Sequence, residues 1–101
     1  HIADFVEHVL IDHPKVSDVA VFGIPDEEFG EQVKAGVELI DPNDAGKGTE
    51  RELIDYCRSK IAHLKCPRTV DFESLPRHPN GKLYKRVLKD RYWRQHRSKI
   101  I

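Results

Sequence analysis

The run Val16-Ser17-Asp18-Val19-Ala20-Val21-Phe22-Gly23-Ile24 is β-branched and apolar, with Val19, Val21 and Phe22 inside it. It reads as a strand at the centre of a sheet. Pro25-Asp26-Glu27-Glu28 then makes a turn or a short helical start, and Gln32 to Ile40 alternates loosely as a second strand, antiparallel to the first. Upstream, Phe5, Val6, Val9 and Leu10 form the stripe of an amphipathic helix over residues 3–13. Pro14 stops that helix, because the residue before a proline avoids the helical region.

Downstream, residues 41–48 hold Pro42, Asn43, Gly46 and Gly48 and read as a surface loop. Thr49 followed by Glu52 matches a capping box. The helix it opens, residues 50–63, would bury Leu53, Ile54, Cys57 and Ile61, with Pro67 marking its exit. Residues 68–72 read as a third short strand. Helical spacing resumes over 84–97, with Val87, Leu88 and Trp93 among basic residues. The pattern predicts an α+β fold: one small domain with a three-stranded, mainly antiparallel sheet packed by helices.

At 101 residues the chain has room for one modest core and not for a typical enzyme with its own deep cleft. Charged residues at 34% and hydrophobic ones at 39% fit an ordinary globular chain and exclude a disordered one. The absence of any apolar run of about 18 residues argues against a membrane span. There is no charged start followed by an apolar core to suggest a secretory address. Two cysteines, Cys57 and Cys66, point to a reducing compartment, and the expected location is the cytoplasm. With His63 they lack the spacing and the fourth ligand of a zinc site, so no metal site is expected; Cys57 reads as a small apolar filler on a helix face.

The formal net charge of zero hides a strong asymmetry. Residues 1–55 hold four Lys/Arg and 14 Asp/Glu, whereas residues 56–101 hold 13 and three. A basic half of this kind either folds back on the acidic half or meets an anionic partner such as a nucleotide, CoA or a nucleic acid.

The basic half contains Leu75-Pro76-Arg77-His78-Pro79-Asn80-Gly81-Lys82-Leu83-Tyr84-Lys85-Arg86. Asn-Gly favours a tight turn, so Asn80 and Gly81 would project Lys82 as a compact cation suited to phosphate or a developing oxyanion. On its own a turn lysine says little, since most surface lysines only keep a domain soluble. The run from Pro76 to Arg86, however, resembles the signature loop of the acyl-adenylate-forming superfamily: a proline, four residues, Gly-Lys, then basic residues. Three further stretches resemble the same family in order and spacing. They are the helix Phe5 to Val16 with its His13-Pro14, the strand and Pro-Asp-Glu turn from Val19 to Glu31, and the segment from Ile54 through Lys65-Cys66-Pro67-Arg68. The resemblance covers almost the whole chain.

It implies that residues 1–101 form the C-terminal lid of an AMP-forming acyl- or aryl-CoA ligase, with the large N-terminal domain and the hinge outside this chain. Such enzymes join a carboxylic acid to ATP, release pyrophosphate, and pass the acyl-AMP to a thiol, usually that of CoA. ATP and Mg2+ would be bound mainly by the large domain, so the lid alone would be inactive. Lys82 would be the adenylation lysine, with Pro76, Asn80 and Gly81 forming its loop, and the lid would rotate for the thioester step. Lys85 and Arg86 match the basic residues after the motif. Arg58 lies close to where some members place an arginine on CoA phosphate. Lys82 also resembles the site that protein acetyltransferases modify. Phe5 departs from the family, many members of which carry a glutamate there. The acid and the acceptor thiol stay open. Alternative readings are the lid of a peptide-synthetase adenylation domain, a basic module for nucleic acid or an acidic protein, and an interface anchored by Tyr92 and Trp93. The favoured reading involves no nucleic acid.

Overall fold

The computed structural model describes residues 2–28, 30–62, 65–82 and 85–100. His63, one of the metal ligands considered above, lies outside the described residues, as do Phe29, Leu83 and Tyr84 of the quoted motifs. The elements are α1 (Ile2–Ile11), β1 (Val16–Asp26), β2 (Gly30–Leu39), a 3-10 turn at Pro42–Asp44, α2 (Lys47–Lys60), β3 (Thr69–Phe72) and α3 (Lys85–Ile100).

β1 and β2 form the antiparallel hairpin, with Val21 opposite Ala35 and Asp26 opposite Gly30. β3 joins β2 in parallel, from Lys34 opposite Thr69 to Val37 opposite Phe72. A parallel neighbour needs a crossover, and α2 supplies it. The fold is α+β, as the pattern indicates, but the strand order β1-β2-β3 places β2 at the centre and β1 at an edge. The apolar run of β1 has a different cause from the one expected. α1 packs on one face of it and α3 on the other, so residues of both parities are buried.

Strand alternation divides the core into two layers. Val19, Val21, Ala35, Val37 and Val70 face Val6 and Leu10 of α1 and Leu53 and Cys57 of α2. Ala20 and Phe22 point the other way, toward Leu75 and Leu88. Phe5, expected on the core stripe, is 55% exposed. The stripe is centred on Val6 and Leu10, and a residue is turned about 100° from the next along a helix, which swings Phe5 outward. α1 ends at Ile11; the amides of Asp12 and His13 bond back three residues, to Val9 and Leu10, closing a last tight turn before Pro14.

The capping box is not formed. α2 starts earlier, with Gly46 as its N-cap at φ 154° and no side-chain cap. Thr49 Oγ1 instead donates to the Asp44 carbonyl at 2.5 Å. Glu52 is drawn to Lys15 at 3.0 Å and His13 at 2.9 Å. The helix also stops at Lys60, where Ile61 turns extended and is only partly buried; Ile54, turned about 100° from Leu53, is partly buried as well. Both cysteines are free and buried. Burial, with the neighbouring Cys66 thiol, pushes the Cys57 thiol up to about 12, so it packs as an apolar filler.

Candidate functional site

Leu75 is buried against α3, and its amide donates to Glu38 Oε1 at 3.0 Å, which fixes the start of the Lys82 loop. Beyond partly buried Pro76 the chain turns out into solvent. The His78 amide donates to the Lys82 carbonyl and the Gly81 amide to the His78 carbonyl, both at 2.8 Å. Asn80 Oδ1 accepts from the Lys82 amide at 3.1 Å. Gly81 has φ +88°, a conformation in which a β-carbon is strained; no atom lies within 4 Å of where that carbon would stand, so backbone preference alone selects glycine here. The Asn80 side chain and the Gly81 backbone conformation both belong to this turn. Lys82 closes the turn opposite His78 and is exposed, and no carboxylate among the described residues pairs with its ammonium.

Two of the flanking basic residues are bound to carboxylates elsewhere in the fold. Arg77 donates from Nε and Nη2 to Asp18 Oδ2 on β1, at 2.9 and 2.5 Å, and from Nη1 to the Gly81 carbonyl at 2.6 Å. Hydrogen bonding to Asp18 holds the guanidinium more firmly protonated than an ordinary arginine. Lys85 reaches Glu7 of α1 at 2.7 Å. Arg86, by contrast, is 86% exposed and only 3.9 Å from Asp90 one turn on. Arg58 is exposed on the last turn of α2, on a different element from Lys82. Among the described residues no group of three or more His, Cys, Asp or Glu could hold a metal ion.

Tyr92 and Trp93 are used inside the domain and are not free anchors. Tyr92 packs on Phe22 with centroids 5.6 Å apart and donates to Asp71, and Trp93 Nε1 donates to the Gly23 carbonyl at 3.1 Å. Sequence reading missed Glu7, Asp18 and Arg77 as contributors to the loop. The one signal that pointed to them was the opposed charge of the two halves. Arg77–Asp18, Lys85–Glu7 and Arg68–Asp26 are pairs between those halves.

The family model for the AMP-binding enzyme C-terminal domain matches residues 6–82, from α1 to the loop lysine itself. The chain belongs to this family. It is 41% identical over 88 residues to the long-chain-fatty-acid–CoA ligase FadD13 of Mycobacterium tuberculosis, covering 86% of this chain and 17% of that protein. It is 42% identical over 85 residues to 4-hydroxybutyrate–CoA ligase 2 of Metallosphaera sedula, covering 84% of this chain and 15% of that one. Among solved structures, the acyl-CoA synthetase of Brucella canis superposes with a TM-score of 0.88 at 30% identity, over 93% of this chain and 18% of its own. The chain is therefore a C-terminal domain of the acyl- and aryl-CoA synthetase family, and spans less than a fifth of the length of these relatives. No helix among the described residues is long and apolar enough to cross a membrane.

Proposed function

We propose that residues 1–101 act as the mobile lid of an AMP-forming acid–thiol ligase, an acyl- or aryl-CoA synthetase, and that Lys82 is its adenylation lysine. One observation carries this reading: Lys82 stands exposed directly after a glycine-dependent turn, without a carboxylate partner among the described residues, in a chain of this family. In the adenylating arrangement its ammonium reaches the large domain's cleft and neutralises charge as the acid attacks the α-phosphate of ATP. Positioned charge of this kind supplies most of the catalysis in phosphoryl transfer. Pro76, Asn80 and Gly81 hold the turn. The lid then rotates to let the thiol, CoA by preference, displace AMP, with Arg58 a contact for CoA phosphate.

ATP, Mg2+ and the carboxylic acid belong mainly to the large domain, which is the lid's first partner, so the isolated lid is inactive. The buried free thiols Cys57 and Cys66 suit a cytoplasmic enzyme. The test compares wild type with Lys82→Ala in the full-length ligase. Acid-dependent ATP–pyrophosphate exchange falls by about 100-fold or more, a loss of about 2.7 kcal/mol of transition-state stabilisation. Capture of a preformed acyl-adenylate by CoA survives. Survival of both half-reactions would make Lys82 an ordinary turn lysine.

The same ammonium is a candidate for acetylation by a protein acetyltransferase, which removes its charge. Enzyme acetylated at Lys82, verified by intact mass, loses adenylate formation and regains it on deacetylation. Full adenylate formation by the acetylated enzyme would refute this regulation.

A further inference from the structure

β1 lies at the edge of the sheet, and an open edge leaves backbone groups that must find other partners. Side chains supply them here. Asp18 Oδ1 accepts the Val19 amide at 2.9 Å, Glu7 Oε2 accepts the Val21 amide at 2.6 Å, and Trp93 donates to the Gly23 carbonyl. The two carboxylates on this edge also receive the two cations that bracket Lys82. Arg77 bonds Asp18 through its other oxygen, and Lys85 bonds the same Glu7 oxygen that caps Val21.

We infer that Arg77 and Lys85 are positioning residues for Lys82: Arg77 ties the turn before it to Asp18 of β1, and Lys85 ties the start of α3 after it to Glu7 of α1, whose carboxylate lies against the open edge of β1. The inference rests on Lys82 being the adenylation lysine. Arg77 does more than anchor one side of this clamp. Its Nη1 holds the Gly81 carbonyl, the oxygen of the peptide bond that leads into Lys82, so one guanidinium spans from β1 to the lysine's own backbone.

Exposure separates these pairs from ordinary surface charge. The Asp18 and Glu7 side chains are 18% and 19% exposed, and each is already oriented by a backbone amide. An anchored, half-buried acceptor loses little freedom on pairing, whereas an exposed pair such as Arg86–Asp90 contributes almost nothing. A lysine on a long flexible stem needs such a base. A misplacement of about 1 Å at a reacting group can cost about 100-fold in rate.

The experiment uses the full-length ligase with Arg77→Gln, Asp18→Asn and Lys85→Gln, each alone and combined with Lys82→Ala, and with Arg77→Lys and Lys85→Arg as conservative controls. Both half-reactions are followed, together with hydrogen exchange of the His78, Asn80, Gly81 and Lys82 amides. Each clamp variant should lower kcat for ATP–pyrophosphate exchange by about 10-fold, with KM for ATP and acid within about twofold. Thioester formation from preformed adenylate should hold, and the Gly81 and Lys82 amides should exchange faster. Lys85→Arg should restore activity, and no clamp variant should lower it further once Lys82 is alanine. Clamp variants with wild-type exchange kinetics, beside an inactive Lys82→Ala, would overturn the clamp while leaving the lysine's role standing. Equal loss in both half-reactions with unchanged loop protection would also overturn it, since that marks general destabilisation. An active Lys82→Ala would remove the lysine's role and the positioning role with it, and the loop exchange data would tell that case from the others.

Discussion

On the face of the sheet covered by α1 and α2, Val6, Leu10, Val19, Val21, Ala35, Val37, Leu53, Cys57 and Val70 meet in a continuous apolar layer. On the face covered by α3, the buried apolar cluster is Ala20, Phe22, Leu75 and Leu88, and beside it Lys34, Asp71 and Tyr92 make a polar contact. Lys34 is 8% exposed, bonds Asp71 at 2.8 Å, and sits over the Tyr92 ring at 5.0 Å. Arg91 adds a second pair to Glu73 at 2.8 Å. The first face holds by a non-directional force that tolerates substitutions of similar volume. The second holds by directional bonds, which fix one seat for α3 and for the loop that leads into it, and which respond to pH.

The largest test of this contrast is truncation in each layer. Leu53→Ala should destabilise the chain by about 3–5 kcal/mol in chemical denaturation, because the layer around it is continuous and closes poorly over a cavity. Leu88→Ala, equally buried but in a four-residue cluster, should cost only about 2–3 kcal/mol. Equal losses would mean that the two faces are energetically alike.

The polar contact gives the next effect. Asp71→Ala strands the Lys34 ammonium, while Lys34→Met removes the charge and keeps most of the volume. Asp71 is 41% exposed, so screening limits the first loss to about 1–2 kcal/mol, and Lys34→Met should cost less. A larger loss for Lys34→Met would show that the pair itself stabilises the fold.

The smallest effect is the dependence on pH. Burial works to raise the Asp71 pKa, but hydrogen bonds from Lys34 and Tyr92 outweigh it and hold the group below its usual 3.8. The native state then binds fewer protons than the unfolded chain. This contribution is full above the unfolded pKa and is lost as pH falls through the folded one. Tyr92 behaves oppositely: burial and the bond to Asp71 raise it above 10.0, so its contribution is full below that value and is lost as pH rises further. Denaturation midpoints should therefore fall at both extremes. Lys34→Met should flatten the acid limb and Tyr92→Phe the alkaline one. Limbs unchanged in both variants would place the titrating groups elsewhere.

Much of this was legible in the sequence wherever the governing interaction is local. The β-branched run at Val16–Ile24, the Asn80-Gly81 turn and the short strand before Pro76 each depend on a residue's own conformational preference. The errors share one cause. Thr49 and Glu52 have the spacing of a capping box, but Glu52 was drawn away by Lys15 and His13 from far along the chain. The β1 run looked central because helices cover both its faces, which strand composition cannot separate from a central position. Lys85 matches the basic residues after the motif, but its pairing with Glu7 is not legible because that partner is remote in sequence.

The sequence by itself determined the α+β class, the antiparallel hairpin and the exposed loop that presents Lys82, since periodicity and turn chemistry act over a few residues. Only the tertiary structure decided that β1 is the open edge, that Asp18 and Glu7 cap it, and that Arg77 and Lys85, on either side of Lys82, pair with those two carboxylates. A carboxylate's partner is set by where the folded backbone puts it within about 3 Å, and no separation along the chain records that distance.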